Sequence, residues 1–245
     1  MTRRRFIADT FSPATGHPDT ASLTGDQAVH LARVLRAEPG QIYDVVANCF
    51  LHRAEIVSVS ETEVLFTLHE ELESDAALPL HLLLAIFKFD HLEWAIEKAT
   101  ELGVARITPI LARRTEKHLA LAAAKRVERW RRIALEASKQ SRRTDIPEIA
   151  DPVTLKLALE KETSPTRILL SETEQTTSLT FALAAAKSAR QPDTALAIGP
   201  EGGWTPEEMA FFAQHQWQPV TLGPRILRAE TAAIAAIAIA GTHLA

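Results

Sequence analysis

Two glycine-bearing loops near the C-terminus constrain this chain more than anything else in it: LAIGPEGGWTPEE at 196–208 and LGPRILRAETAAIAAI at 222–237. Each follows a short apolar run of the kind that makes a buried strand, and each leads into a helix. In the first, Thr205 is a good N-cap, Pro206 suits the first helical position, and Glu208 completes a capping box. Gly199, Gly202 and Gly203 let the backbone turn sharply and approach a ligand closely. In the second, Gly223-Pro224 turns the chain, and Glu230 falls in the first turn of an alanine-rich helix, where a carboxylate suits the helix dipole. Two such joints place two loops at the carboxyl ends of strands, where open α/β sheets bind their ligands. The expectation is a small-molecule site for a nucleotide-like group. Neither loop is a P-loop or a G-x-G-x-x-G turn.

Taken together, the two segments resemble the paired C-terminal motifs of the SPOUT methyltransferases, specifically the ribosomal RNA small subunit methyltransferase E family. That family methylates N3 of a uridine in the decoding region of the small-subunit RNA. The resemblance runs upstream through HLARVLR at 30–36 with Pro39-Gly40, and KATELG at 98–103 with Ile107-Thr108-Pro109. It continues in ERWRRIALEASKQSRR at 128–143 with Ile146-Pro147. The family has Glu-Gln-Ser-Gly-Arg where this chain has Lys139-Gln140-Ser141-Arg142-Arg143, a departure that weakens any family-specific role for positions 139 and 142.

The resemblance implies an α/β chain: a SPOUT-type parallel sheet with a C-terminal trefoil knot, preceded by a small PUA-like β-barrel domain. It implies S-adenosyl-L-methionine as cofactor, held by Leu170 and Ser171, by Ile198, Gly199, Pro200, Glu201, Gly202 and Gly203, and by Leu222, Gly223, Ile226, Leu227 and Arg228. Its partners would be 16S rRNA, within an assembled or nearly assembled small subunit, and a second copy of the chain, giving a homodimer with shared sites. Uridine N3 carries a proton at neutral pH, so a base could remove it, or a cation could stabilise the charge developing on O2 and O4. Arg228 is the candidate for the cation. Glu201 and Glu230 are the candidate bases, with a structural alternative for each: Glu230 caps its helix and Glu201 shapes its loop.

The net charge of −4 argues against a nucleic-acid partner until its distribution is considered. Residues 113–143 hold eleven Lys and Arg against three Glu, a local +8 that leaves −12 elsewhere. Trp130, Ile133, Ala134 and Ala137 recur at helical spacing and would face a core. Arg129, Arg132, Lys139 and Arg143 follow the same spacing on another side, as either a solvated face or a phosphate-tracking stripe. With Arg33 and Arg36 beside His30, and the basic N-terminus (Arg3, Arg4, Arg5), they make the expected RNA-contacting set.

Short β-type runs at 42–46, 54–59 and 64–68, with one helix around 27–35, suggest a small β-rich domain over 1–73. A linker at 74–78 follows, and strand and helix then alternate from 79 to 245. Strands are expected at 80–87, 106–110, 168–170, 195–198 and 220–222, with a helix at 92–102. The single cysteine, Cys49, rules out an internal disulfide and suits a reducing cytoplasm. The residues after the basic start lack an apolar core, so no signal peptide is expected, and the apolar stretch at 232–241 is too short to cross a membrane. Scattered histidines without ligand spacing predict no metal. Ribose 2′-O-methylation and a non-catalytic RNA-binding role with a vestigial pocket are the alternatives. Intact glycines and the Leu-Arg-x-Glu-Thr segment argue against the second.

Overall fold

A computed structural model describes residues 5–74, 76–189 and 193–244. Arg3 and Arg4, and Asp75 of the expected linker, lie outside the described residues. The chain divides into two compact units, 1–76 with 138–145, and 77–137 with 146–245.

The first unit is a six-stranded sheet built from β1 (Arg5–Ile7), β2 (Thr10–Ser12), β3 (Thr20–Thr24), β4 (Ile42–Ala47), β5 (Phe50–Val59) and β6 (Glu63–Leu72), with α1 (Gly25–Val29) and a π-helical turn over His30–Val34 between β3 and β4. Strand order is β1-β4-β5-β6-β3-β2, antiparallel except for β1 beside β4. The β4–β5 hairpin turns at Asn48 and Cys49, both left-handed at φ 51° and 67°, the twist a two-residue hairpin needs. β1 and β2 stand at opposite ends of that order yet are joined through Ala8 and Asp9. The Ala8 amide donates to Val46 O and the Asp9 amide to Ser22 O, so the sheet curls until its ends meet. Leu23, Leu31, Val45, Ile56, Val64 and Phe66 fill the interior. The first three strands are three to five residues long, too short to show an alternating period in the sequence.

The second unit is an α/β layer structure. Its strands are β7 (Leu78–Ala85), β8 (Val104–Leu111), β9 (Glu148–Ile149), β10 (Val153–Thr154), β11 (Thr166–Leu170), β12 (Thr194–Ile198) and β13 (Gln218–Val220). Its helices are α2 (Phe89–Glu101), α3 (Lys117–Ser141), α4 (Leu155–Lys161), α5 (Leu179–Ser188), α6 (Pro206–Gln214) and α7 (Ala229–Leu244). The order is β10-β8-β7-β12-β11-β13, with β9 also on β8, and every pairing is parallel. Near-continuous burial of β7 and β12 is what a parallel sheet covered on both faces demands. Leu80, Leu82 and Leu84 pack with residues of α2, α3, α5 and α7. Leu83, Ala195 and Ala197 face the other way, against Leu155 and Leu159 of α4 and Phe212 of α6.

The basic segment departs from the expected stripe. Trp130, Ala134 and Ala137 are buried and Ile133 is half-buried, as their spacing predicts. However, α3 ends at Ser141: Arg142 adopts a left-handed φ of 61°, and the Arg143 amide bonds back to Ser138 O at 3.0 Å. Arg143 therefore lies past the helix. Its side chain is only 8% exposed and is paired bidentately with Asp145, so it cannot track phosphates. Residues 138–145 pack with the first unit, where Ser74 Oγ meets Thr144 Oγ1.

Candidate functional site

Because the strands are parallel, the loops that follow β11, β12 and β13 open on one edge of the sheet. Together they line a cavity of about 1080 Å³. All thirteen residues named from the resemblance as cofactor-binding, from Leu170 and Ser171 through Gly199 and Gly202 to Leu222 and Arg228, line this single space.

The β12 loop is held as its residues require. Thr205 Oγ1 accepts from the Glu208 amide and Glu208 Oε2 accepts from the Thr205 amide, closing the capping box on α6. The other oxygen of Glu208 accepts from the Arg113 amide at 2.8 Å, which ties the loop after β8 to α6. The Gly203 amide donates to Pro200 O at 2.8 Å, and Gly203 has a φ of +69°, a conformation a side chain disfavours. At Gly202 the constraint is space against a neighbouring side chain. A Cβ there would stand 3.2 Å from Cδ of Arg114, whose guanidinium donates to Gly202 O. A Cβ on Gly199 would press on the Trp204 ring, whose buried Nε1 has no partner among the described residues.

The other two loops are stitched together. Ser171 donates its amide to Val220 O, Thr221 to Thr177 O, and Leu179 to Thr221 O, at 2.9 to 3.1 Å. The Thr221 hydroxyl accepts from the Gly223 amide, shaping the turn into 224–228. Glu174 Oε1 takes the Thr176 hydroxyl and the Thr176 and Thr177 amides, and these bonds hold its carboxyl down at about 2. It is an anionic staple of the β11 loop.

The three catalytic candidates separate. Arg228 is exposed on the cavity and its side chain has no hydrogen bond or ion pair among the described residues. Glu201 is also exposed on the cavity wall. Glu230 is not a wall residue: it is 3% exposed, and its Oε1 accepts from Nδ1 of His91 at 2.7 Å. Its link to the cavity is His91 itself, which lines the wall with Lys88 and Arg114. Sequence reasoning missed these three. Lys88 and His91 follow β7 and Arg114 follows β8, so only the strand order, with β7 beside β12, brings them to the glycine loops.

The expected RNA-contacting residues are distributed as follows. Arg5 donates to Arg142 O. Arg33 is paired on the surface with Glu61, and Arg36 is exposed with a left-handed φ of 49°, beyond the π-helical turn rather than on a continuous helix with His30. Arg129 donates to Glu93 at 2.8 Å, while Arg132 is exposed. Lys139 is half-buried near the end of α3.

The parallel sheet and its three-loop cavity are those of an RNA methyltransferase domain, and the family model of that description matches residues 74–241. Ribosomal RNA small subunit methyltransferase E of Synechocystis is 34% identical over 89% of this chain and 72% of its own length. The enzyme of the same name from Bacillus subtilis is 31% identical over 89% and 88%. A methyltransferase of Legionella pneumophila, solved with bound S-adenosylmethionine, superposes with a TM-score of 0.80 at 30% identity over 99% of this chain and 98% of that one. Ribosomal RNA small subunit methyltransferase E of Neisseria gonorrhoeae, also with S-adenosylmethionine, gives 0.79 at 29% identity over 98% of each. This chain belongs to the ribosomal RNA small subunit methyltransferase E family.

Proposed function

We propose that this chain transfers the methyl group of S-adenosylmethionine to N3 of a uridine in the decoding region of 16S rRNA. The observation that carries the reading is the convergence of three loops, far apart in sequence, on one cavity whose wall contains every residue expected to hold the cofactor. The fit to such a ligand is physical. The space suits a nucleoside-sized molecule. Leu170, Ile198 and Leu222 offer apolar faces for a base. The glycines leave backbone groups open to close approach, and the unpartnered Trp204 Nε1 is a donor in need of an acceptor. Bound there, S-adenosylmethionine supplies a methyl group already activated on a sulfonium.

The protein's own contribution is to hold the uridine and to manage charge. Arg228, uncommitted at the cavity, is the group placed to stabilise the negative charge that grows on O2 or O4 as N3 loses its proton. Glu201 shares the wall and belongs to the same reading as a loop-shaping carboxylate or a base. Orientation of an unstacked uridine against the cofactor supplies much of the rate.

The wider features of the family complete the proposal: a PUA-like first domain, a C-terminal trefoil knot, and a homodimer with shared sites that acts on a largely assembled small subunit in the cytoplasm. The curled first sheet supports the first. The strand order β7-β12-β11-β13, in which β12 is laid between two earlier strands, supports the second. Arg5, Arg33, Arg36, Arg129, Arg132 and Lys139 are the RNA-facing candidates, with Arg3 and Arg4 preceding the described residues. Mass spectrometry of 16S rRNA from a strain lacking the protein tests the reading. One missing N3-methyluridine, restored by the wild-type gene, is expected; a missing ribose methyl or an unchanged RNA overturns it.

A further inference from the structure

The proton on N3 needs an acceptor; of the two candidate carboxylates, Glu201 is exposed on the cavity wall and Glu230 is buried away from it. What reaches the cavity is the ring bonded to Glu230. His91 Nδ1 lies 2.7 Å from Glu230 Oε1. It is the one hydrogen bond to that carboxylate among the described residues, since Oε2 is buried without a partner. An ionised carboxylate can only accept, so this bond selects the imidazole tautomer that carries its hydrogen on Nδ1. The lone pair is then on Nε2, which makes no hydrogen bond among the described residues and has Asp90 Oδ2 3.7 Å away. The carboxylate also sits in the first turn of α7, which fixes it from behind. A buried carboxylate, an imidazole oriented by it and a free ring nitrogen at a cavity wall form an arrangement suited to general-base catalysis.

We propose that His91 accepts the N3 proton and that Glu230 is its positioning residue, an inference that rests on uridine N3 being the methylated atom. The N3–H bond breaks and its proton passes to Nε2. The N3 electron pair forms the bond to the methyl carbon, and the pair of the broken S–CH3 bond stays on sulfur, giving the neutral thioether of S-adenosylhomocysteine. The imidazolium left behind is held between Glu230 and Asp90, two negative groups. Arg228 and His91 divide the work: one stabilises charge on the uracil oxygens, the other removes the proton.

The test exploits the acidity of the substrate. RNA carrying 5-fluorouridine at the target has a more acidic N3 and depends less on a base. Single-turnover methylation by His91→Gln should fall about 10²- to 10³-fold on uridine. The ratio of wild-type to variant rate should then shrink roughly tenfold or more on 5-fluorouridine, the behaviour of a missing base. A residue that only supports the fold would lose the same factor on both substrates, and an unmoved ratio overturns the proposal. Because His91→Gln leaves Glu230 without its cation-forming partner, the double variant His91→Gln/Glu230→Gln, which buries no charge, is run beside it and should show the same rescue. Calorimetric titration with S-adenosylmethionine should give near-normal affinity for both. In the wild-type protein without cofactor, nitrogen chemical shifts should place the proton of neutral His91 on Nδ1; a proton on Nε2 overturns the dyad. If the wild-type product is not N3-methyluridine, the function reading itself fails. N3-methyluridine with an unmoved ratio removes only the dyad.

Discussion

His81 Nδ1 donates to Glu162 Oε2 at 2.5 Å, and the Thr108 hydroxyl lies 2.8 Å from the same ring's Nε2, a clamp joining β7, β8 and the end of α4 inside the second unit. Burial alone would raise the Glu162 carboxyl, but the bonds from His81 and from the Ser164 amide bring it down to about 2. A carboxyl depressed in the folded state stabilises above its unfolded value and loses that contribution as pH falls through its folded value. The window here runs from the ordinary 4.5 down to about 2. Urea unfolding of the wild type should therefore lose on the order of 3 kcal/mol across that window in excess of Glu162→Gln. Parallel curves for the two proteins would show that the clamp does not couple to acid stability.

The cofactor loop yields a second prediction. Gly202→Val should abolish S-adenosylmethionine binding while unfolding remains cooperative. The cause is lateral: the new side chain meets the stem of Arg114, 3.2 Å from the Cβ position, and pushes apart the loops after β8 and β12. Gly203→Ala tests the backbone instead, because its φ of +69° costs a side chain about 1 kcal/mol or more. Calorimetry should show strong loss of affinity in the first and a smaller loss in the second. Undiminished affinity in Gly202→Val would make the loop a turn and nothing else.

How legible this architecture was depends on the range of the interaction. The capping box of Thr205 and Glu208 is a three-residue affair and could be read directly, as could the strand–loop–helix joints that place Gly199 and Gly223 at one cavity. The strands expected at 80–87, 106–110 and 195–198 are legible as buried apolar runs, with bounds that the structure moves to Leu78–Ala85, Val104–Leu111 and Thr194–Ile198. By contrast, Arg114, Lys88 and His91 join the site only through the β8-β7-β12 neighbourhood, which no local pattern encodes. Arg143 shows the converse error: helical spacing was projected past Ser141, where a left-handed Arg142 had already ended the helix.

Assembly supplies a third prediction. α7 buries Ala233, Ala236 and Ala240 in the core of its own unit and leaves the small residues Thr231, Ala238 and Thr242 on its open face. Small side chains permit close helix approach. Sedimentation at micromolar concentration should report a dimer, and Ala238→Arg should shift it towards monomer. A monomeric wild type removes the shared-site proposal.

For RNA binding, Arg129 and Arg132 are the members of the basic segment to reverse, since Arg143 is buried against Asp145. Changing both to Glu should weaken RNA binding and leave cofactor titration unchanged. Each lost phosphate contact should flatten the log–log salt dependence by roughly 0.7–0.9. Arg143→Glu should act differently, lowering the melting temperature because it replaces a buried cation beside a carboxylate. Equal RNA affinity in the Arg129/Arg132 variant would return that face to plain solvation.

Arg228→Ala should separate catalysis from binding. The side chain stands on the cavity wall without a partner among the described residues, so its removal orphans none of their polar groups. RNA affinity should stay near normal, with a modest loss of cofactor affinity because the neighbouring backbone belongs to the pocket. If the guanidinium stabilises charge developing on the uracil oxygens, the single-turnover rate at saturating RNA and cofactor should fall by about two to three orders of magnitude, as for loss of one oxyanion donor. Unlike His91→Gln, this variant should gain little from 5-fluorouridine beyond what the wild type gains, because its deficit lies in charge stabilisation and not in proton removal. A full rate under saturation would make Arg228 a binding or structural residue and would leave the His91–Glu230 pair as the catalytic group of this cavity.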